Sequence, residues 1–546
     1  MKKLILLLLA FISAQILIAQ SVKETKIFSS TGKDISSLYD LKYDRGSGTY
    51  VYSDYDTVLL KYKLISNKGN SAVYSYADVY SLFFDNSGNY LVTASNNISE
   101  TSSKYYFLKN GAELRSFDNI SFPVQKRDDG IYFIASENGK DYRVKYSFNS
   151  GEFEMGKGYD TIYTCFSSPD DMATDVSYEI GFTKDGMDFY IACSGGKQMI
   201  VAGNTEMKKY DEIVYRNAFL DNEGNICYTA KKIVNGKNYY CLVQNEKEYK
   251  MFTDVTSFNV VFDKNNTPYY AASDEEAEYP STQFLVKGSE IISKKFNRGI
   301  YNIIISPSAK IAFIGTDTLK DGSAVTVLFI DGKEAARYSS IYSLKFLPDN
   351  SYIFIATDKD EKVFAVEGNK IVSGKYSDIS NLEINKKGVL SYIATNYGDY
   401  EKNIPDQTTY IIGKEKYGPY QNLLMGEMGP PPIVFAENGD YVFTVSQNMP
   451  VKEEERIKYF AKHKDWVSEA YDYITDINVY KNDFYFAGNN SNDDGSNVFQ
   501  LYKNNKKLGV EYQMSGDFKF DKDKAVITFN GIRENTIYFV EIKLND

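Results

Sequence analysis

The sequence predicts an all-β chain of about twelve repeated antiparallel sheets, and three observations support this prediction. An aromatic residue followed three positions later by an aliphatic or second aromatic residue recurs at steps of 38 to 54 residues, with degraded copies at Phe296 and Tyr512. Between these markers, short runs alternate apolar and polar residues, which is the period of a strand. Gly, Asn and Asp separate the runs, and these residues reach the positive φ angles of tight hairpins at low cost. The markers are Tyr76, Phe117, Tyr159, Tyr210, Phe252, Phe296, Tyr338, Tyr376, Tyr417, Tyr471 and Tyr512.

The stretch 328–357 shows the repeating unit most clearly. Strands are predicted at 328–330, 334–339, 343–347 and 352–356, with turns at Asp331-Gly332 and Pro348-Asp349. Four antiparallel strands in about 40 residues are typical of a β-propeller blade. A single blade has two apolar faces, and packing it between two neighbours buries both of them.

Counting from the N-terminus gives twelve units, with boundaries near residues 79, 119, 161, 212, 255, 299, 340, 379, 419, 473 and 514. Because one propeller usually has four to eight blades, we expect two six-bladed rings. Residues 20–299 would form repeats 1 to 6, and residues 300–546 would form repeats 7 to 12. The last unit has only three predicted strands, and residues 24–33 are expected to supply the fourth. If the two ends pair, the chain crosses between the rings twice or forms one large ring.

One repeat resembles a known family. The segments Phe346-Leu-Pro-Asp-Asn-Ser-Tyr-Ile-Phe-Ile-Ala and Phe329-Ile-Asp-Gly-Lys resemble the WD40-like repeats of TolB-type bacterial propellers. The resemblance holds at the level of the repeat, and the Ser-Pro-Asp-Gly of the family pattern is mostly eroded here. It implies an exported propeller used for binding, and it carries over no catalytic residues.

The first 19 residues read as a secretory signal peptide. Lys2 and Lys3 precede a short apolar run, and no second run of this kind follows. We therefore expect export to the periplasm or the extracellular space, with no membrane span in the mature chain. Removing the two lysines changes the formal net charge from −11 to −13. An acidic chain without a Lys/Arg cluster is a poor partner for nucleic acid.

Two insertions interrupt the period, and we expect them to carry function. Residues 165–176 are polar and predict a loop. Residues 447–470 predict a helix, because three glutamates are followed by lysines. On that helix Tyr459, His463 and Trp466 would share a stripe and form a candidate binding surface. Two interpretations remain open: a lid or docking helix for a partner, or a helix packed on a blade edge with Trp466 buried.

The residue inventory argues against most enzyme chemistry. A Ser/His/Asp or Cys/His site would have to use His463, the one histidine of the chain. One His and four scattered Cys nearly exclude zinc. Residues 490–495 resemble the start of a calcium loop, but its twelfth position is Leu501. We predict no cofactor. The four Cys allow three disulfide pairings, and buried free thiols are the alternative.

The sequence therefore predicts an exported, non-enzymatic propeller that binds a protein, peptide or glycan. The alternative is a hydrolase or lyase that acts on glycans or peptides through facing carboxylates in the propeller funnel. The sequence gives no oligomeric state.

Overall fold

The computed structural model describes residues 22–29, 41–77, 79, 82–99, 102–122, 124–163, 180–256, 259–275, 282–402, 404–421, 432–451, 454–491 and 497–544. The signal-peptide residues 1–19 and the predicted loop 165–176 lie outside this set. The described residues form twelve antiparallel sheets, with a turn of 3₁₀ helix at Tyr400–Lys402. Within these ranges no helix has the length and apolarity to cross a membrane. The prediction of an all-β chain of twelve propeller blades is confirmed.

We number the sheets as blades 1 to 12 in chain order. The first strand, β1 (Val22–Ser29), belongs to blade 12. Blade 1 contains β2 (Lys42–Asp44), β3 (Thr49–Asp56), β4 (Lys61–Ser66) and β5 (Val73–Tyr74). Blade 2 contains β6 (Tyr76–Ala77), β7 (Phe83–Phe84), β8 (Tyr90–Ser99), β9 (Ser102–Lys109) and β10 (Ala112–Phe117). Blade 3 contains β11 (Asn119–Ile120), β12 (Gln125–Arg127), β13 (Gly130–Glu137), β14 (Lys140–Ser147) and β15 (Phe153–Met155).

Blade 4 contains β16 (Thr161–Tyr163), β17 (Gly181–Phe182), β18 (Asp188–Ser194), β19 (Lys197–Ala202) and β20 (Thr205–Glu206). Blade 5 contains β21 (Glu212–Leu220), β22 (Ile226–Val234), β23 (Lys237–Gln244) and β24 (Lys247–Glu248). Blade 6 contains β25 (Asp254–Val255), β26 (Val261–Phe262), β27 (Pro268–Ser273), β28 (Phe284–Lys287) and β29 (Glu290–Ile291). Blade 7 contains β30 (Ile300–Ile305), β31 (Ile311–Thr318), β32 (Ala324–Ile330) and β33 (Lys333–Tyr338). Blade 8 contains β34 (Ser340–Phe346), β35 (Tyr352–Thr357), β36 (Val363–Glu367) and β37 (Lys370–Ile371).

Blade 9 contains β38 (Asp378–Ile384), β39 (Leu390–Asn396), β40 (Gln407–Ile412) and β41 (Glu415–Tyr420). Blade 10 contains β42 (Val434–Phe435), β43 (Tyr441–Val451) and β44 (Glu454–His463). Blade 11 contains β45 (Tyr473–Ile474), β46 (Asn478–Tyr480), β47 (Asp483–Ser491), β48 (Asn497–Lys503) and β49 (Lys506–Tyr512). Blade 12 contains β50 (Met514–Asp521), β51 (Val526–Arg533) and β52 (Thr536–Lys543), together with β1.

The chain divides into two compact units. The first comprises Met1–Tyr90, Asn110–Ala112 and Tyr376–Asp546, and it holds blade 1 and blades 9 to 12. The second comprises Leu91–Lys109 and Glu113–Lys375, and it holds blades 3 to 8. Two six-bladed rings divided between residues 299 and 300 stay a prediction.

The N-terminal strand completes the last blade, as the sequence predicts. Strand β1 pairs antiparallel with β52 from Val22↔Ile542 to Ser29↔Thr536, and the order of blade 12 is β1-β52-β51-β50. An ion pair fastens this strand, because Arg533 donates through both terminal nitrogens to the carboxylate of Glu24, at 2.8 and 2.9 Å. The two ends of the chain therefore share one sheet.

The marker aromatics pack over small residues of the following blade. Tyr471 is 3% exposed, and its ring covers Gly488, where an added Cβ would lie 2.3 Å from the ring. Phe296 covers Gly315 in the same way, and Tyr512 covers Gly531. In these three cases a glycine in a long strand of one blade therefore makes room for the marker aromatic of the blade before it.

The predicted helix at 447–470 is wrong, because the described residues of this range contain no helix and include parts of two strands of blade 10, β43 and β44. Strands β43 and β44 pair from Val442↔His463 to Val451↔Glu454. Tyr459, Ala461 and His463 alternate along β44 on one face, and the last two are buried. One of the lysines that suggested a helix instead forms an ion pair with a residue outside the predicted helix, because Nζ of Lys458 lies 2.6 Å from Oδ1 of Asp472. The alternation of side chains along 457–463, which is typical of a strand, is therefore a stronger signal than the charge pattern that suggested a helix.

The extra length of this repeat lies upstream of the predicted insertion. Strand β41 ends at Tyr420 and the next strand, β42, begins at Val434. Residues 422–431 of this connection lie outside the described set. The long marker step from Tyr417 to Tyr471 therefore reflects the connection between blades 9 and 10.

The described cysteines are free thiols. Strands β22 and β23 form the predicted hairpin, but Cys227 faces Gln244 and Cys241 faces Ala230 across it. The two thiols belong to different apolar clusters, and both side chains are buried. Burial raises the pKa of the Cys241 thiol to about 11, so it is unreactive in the folded chain.

Candidate functional site

A cleft of about 800 Å³ opens in the first unit, beside the turn between β50 and β51. We call it the Glu541 cleft. Blade 12 supplies most of its wall, blade 11 adds one residue from β46, and the turn after β2 adds another. Its lining residues are Arg45, Asn478, Lys519, Phe520, Asp521, Lys522, Asp523, Lys524, Val526, Thr528, Phe539 and Glu541.

Strand register places the main lining side chains on one face of blade 12. Thr528 of β51 lies directly opposite Glu541 of β52 and is also paired with Lys519 of β50. Phe539 lies two residues before Glu541, so it points to the same face. Its ring packs against Tyr43 of blade 1, with the ring centroids 4.9 Å apart. The face therefore presents an apolar ring next to a row of polar groups.

Glu541 is the most unusual group of the cleft. The residue is 3% exposed, and Arg45 donates to its Oε2 from a turn nearly five hundred residues away in sequence. Its other oxygen, Oε1, has no hydrogen-bond partner among the residues that the structure describes. A buried acceptor without a partner costs about 1–3 kcal/mol, and more when it is charged. This oxygen is therefore a place where a ligand donor would gain free energy.

The rim of the cleft carries both signs of charge. Backbone and side-chain hydrogen bonds from Lys524 hold the pKa of Asp521 below its usual range, so this carboxyl is ionised at neutral pH. The lining contains four basic residues and three acidic ones. This near balance does not favour a highly charged ligand of either sign.

The structure places the three predicted binding residues against one apolar cluster of the first unit. Tyr459 and Trp466 are half-buried there, and their neighbours include Tyr471 and Phe486. The backbone of Tyr459 pairs with that of Tyr471 in both directions, at 2.8 and 3.0 Å. The ring of His463 stacks on Trp466 with the centroids 5.2 Å apart. His463 and Trp466 are therefore in contact, and their role in binding stays a prediction.

His463 has a polar neighbour at each of its ring nitrogens. The backbone N–H of Asp465 donates to Nδ1 at 3.1 Å, and Nε2 lies 2.9 Å from Oδ1 of Asp440. Because Nδ1 accepts, the proton of the neutral ring lies on Nε2 and faces Asp440. Lys464 lies 3.1 Å from the same oxygen of Asp440. Burial opposes the ionisation of Asp440, but His463 and Lys464 outweigh burial and lower its pKa.

The other described residues considered for catalysis or metal binding do not come together in one site. Burial raises the pKa of Asp254, which belongs to blade 6. No three His, Cys, Asp or Glu side chains of the described part come close enough to hold a metal ion. The turns at Asp85 and Asp221 bind their own backbone N–H groups. Residues 492–495 of the proposed calcium loop lie outside the described ranges.

Sequence reasoning did not single out Arg45, Phe539 or Glu541. One signal was present, because Glu541 stands between Val540 and Ile542, which are both buried. Both faces of a blade are covered by neighbours, so a carboxylate at such a position needs a partner. The identity of that partner, Arg45, could not be read from local sequence.

Comparisons with known proteins find β-propellers among the similar solved structures. No protein-family model matches the chain, and the comparison with curated proteins gives no match. Similar solved structures include the β-propeller domain of the trilobed protease from Pyrococcus furiosus, which is 12% identical, with 59% of this chain and 94% of that chain covered and a TM-score of 0.24. TolB from Acinetobacter baumannii is 11% identical, with 54% and 77% covered and a TM-score of 0.20. An oligogalacturonate lyase from Vibrio parahaemolyticus is 8% identical, with 67% and 96% covered and a TM-score of 0.25.

The resemblance to TolB-type propellers at the level of the repeat is confirmed. The solved structures include both enzymes and proteins that are not named as enzymes. Scores and identities this low carry no argument about function.

Proposed function

We propose that this protein is exported and acts as a non-enzymatic binding scaffold. Its partner, a protein, peptide or glycan, binds in the Glu541 cleft. The observation that carries this proposal is Glu541, a residue of the cleft lining whose buried Oε1 has no hydrogen-bond partner among the described residues. Export rests on the signal-peptide pattern of residues 1–19, which directs the mature protein to the periplasm or the extracellular space.

The charge state of the cleft favours binding over acid–base catalysis. A general acid at neutral pH needs a carboxyl with a raised pKa. Asp521 of the lining has a lowered pKa, which does not suit this role, and Asp254, a carboxyl with a raised pKa, belongs to blade 6 of the other unit. A hydrolase or lyase acting through funnel carboxylates remains the alternative function, and the experiment below includes it.

The experiment compares three forms of the mature protein on arrays of glycans and of peptides. The forms are the wild type, Glu541→Gln, and Glu534→Gln as a matched control on an exposed turn of the same blade. We expect a probe that binds the wild type and the control but not Glu541→Gln, and mass spectrometry should find it unchanged. Equal binding by all three forms would contradict the cleft as the site. Conversion of the probe would contradict a non-enzymatic role.

We also propose a second contact surface at the end of blade 10. Trp466 is the contacting residue, while Tyr459 and His463 support it through the stack and the backbone pairing described above. Half-buried tryptophan offers large contact area at low entropic cost. Replacing Trp466 by Ala should weaken partner binding in the same array. Unchanged binding by a folded variant would remove this surface from the proposal.

A further inference from the structure

Two buried acceptors on one face of blade 12 indicate what a ligand must offer. Glu541 lines the cleft, and Asn530, which does not line it, is paired with the lining residue Phe539. Oε1 of Glu541 and Oδ1 of Asn530 both lack a hydrogen-bond partner among the described residues, and both residues are at least 97% buried. Asn530 lies on β51 two residues after Thr528, so it shares the face that carries Glu541. Its amide nitrogen is already used, because it donates to the carbonyl of Leu41 at 2.8 Å. Both open positions are acceptors, so the matching ligand group must be a donor.

Charge decides which donor fits. The guanidinium of Arg45 already binds Glu541, so the carboxylate is neutralised before a ligand arrives. An ammonium group would meet Arg45 and the lysines of the lining, and like charges in one site repel. An anionic ligand would meet Glu541 and two aspartates. A neutral hydroxyl can donate to a carboxylate oxygen without either penalty.

The apolar part of the lining fits the same class of ligand. Phe539 and Phe520 are half-buried rings of the lining. Phe539 shares the face of Glu541, whereas Phe520 lies on the opposite face of blade 12 and packs against Tyr485, so Phe539 is the ring that a ligand bound at Glu541 would cover. A sugar ring has an apolar C–H face and a rim of hydroxyl groups, so it can cover an aromatic ring while it donates at its edge. The cleft volume of about 800 Å³ lies within the range of small-ligand sites, roughly 300–1,000 Å³.

We propose that the Glu541 cleft binds a neutral oligosaccharide, with a ligand hydroxyl donating to Oε1 of Glu541 and a sugar face covering Phe539. Arg45 holds the carboxylate in place and keeps the site neutral. This inference rests on the proposed binding function and names the class of ligand that the cleft takes.

Calorimetric titration of the mature protein tests the inference. The probes are cellotetraose, maltotetraose, mannotetraose, xylotetraose and β-1,4-galactotetraose, with tetragalacturonate, tetralysine and tetra-alanine as charged and peptide comparisons. At least one neutral sugar should bind with a Kd below about 1 mM, tighter than every comparison probe.

Glu541→Gln should weaken the binding of that sugar about 10- to 100-fold, the loss expected for one hydrogen bond to a charged group. Glu534→Gln should leave it unchanged. Asn478→Ala, which leaves the Arg45–Glu541 pair intact, should also weaken it and guards against a folding defect.

Each other outcome has a definite meaning. If tetra-alanine or tetralysine binds in a Glu541-dependent way and no sugar does, the saccharide inference is overturned and the binding function stands. If tetragalacturonate binds more tightly than every neutral sugar, the inference of a neutral ligand is overturned. If a bound sugar is cleaved, the ligand class stands and the non-enzymatic role is overturned. If no probe binds, the saccharide inference is overturned, and the array comparison of the wild type with Glu541→Gln decides the binding function separately.

Discussion

Gly488→Ala tests the packing rule that links one blade to the next. Gly488 lies in β47 under the ring of Tyr471, and an added Cβ would lie 2.3 Å from Cε1 and 2.4 Å from Cδ1 of that ring. The ring has little room to move, because Tyr471 is 3% exposed and its backbone is paired with Tyr459. The φ angle of Gly488 is not positive, so the change adds steric overlap without backbone strain.

The expected cost follows from two opposing effects. Overpacking a buried site costs about 1–3 kcal/mol, whereas replacing Gly by Ala stabilises by about 0.4–1 kcal/mol through the unfolded chain. We therefore expect a net loss of about 1–2 kcal/mol. Gly46→Ala is the control, because its Cβ would meet no atom closer than 3.7 Å and Gly46 belongs to the same unit as Gly488 and Trp466. We expect that change to be neutral or slightly stabilising.

Urea unfolding followed by tryptophan fluorescence measures these changes. Trp466 is the one tryptophan of the chain, and it packs in the cluster that contains Tyr471. The same glycine change in a Tyr471→Leu background should cost less, with a coupling energy of about 1–2 kcal/mol. Equal costs in both backgrounds, or no cost in either, would refute the packing rule.

Three further predictions concern stability and thiol chemistry. Arg533→Met removes the two hydrogen bonds to Glu24 and should cost about 1 kcal/mol, which hydrogen exchange would detect as about fivefold faster opening of β1. Burial opposes the ionisation of Glu248, but Lys208, Lys232 and Tyr210 outweigh burial and lower its pKa from 4.5 to about 2. Its contribution of about 1–2 kcal/mol, after allowance for solvent screening, should be complete above pH 4.5, be lost toward pH 2, and be absent in Glu248→Gln. A maleimide probe should label Cys227 and Cys241 only after unfolding, because both are buried free thiols.

The contradicting results are equally specific. Unchanged exchange of β1 in Arg533→Met would show that strand pairing alone closes blade 12. Identical acid unfolding of Glu248→Gln and the wild type would show that the lowered pKa does not contribute to stability. Labelling of either thiol in the folded chain, or failure to label both after unfolding without reductant, would contradict buried, unbridged cysteines.

The blades could be predicted from the sequence because their signals are local. The marker aromatic ends one sheet, so the boundary predicted near 340 coincides with the first residue of β34, and that near 161 with the first residue of β16. The small residue after each marker is a second signal, since Gly488 and Gly531 are under the rings of Tyr471 and Tyr512. The role of β1 in completing blade 12 could also be predicted, because the last unit has only three predicted strands and needs a fourth.

The helix at 447–470 was wrong for a physical reason. Glutamates followed by lysines satisfy the dipole preference of a helix, but the same charges also suit a strand with partners across the sheet. Burial of Ala461 and His463 on one face of β44 shows that packing of alternate residues decided the structure. Tertiary packing commonly overrides such local preferences.

The cleft could not be predicted because it depends on contacts between distant segments. Arg45 and Glu541 meet only after β1 closes blade 12 and brings blade 1 beside it. The register of β51 and β52 then decides which side chains face the cleft. The sequence offered only a carboxylate between two buried apolar residues.

A crystal structure of the mature protein with a bound neutral tetrasaccharide tests the central claim most directly. In that structure a ligand hydroxyl should lie about 3 Å from Oε1 of Glu541, with a sugar face over Phe539. A ligand bound elsewhere, such as against Trp466, would contradict it. So would an Oε1 of Glu541 already occupied by a hydrogen bond from another part of the chain.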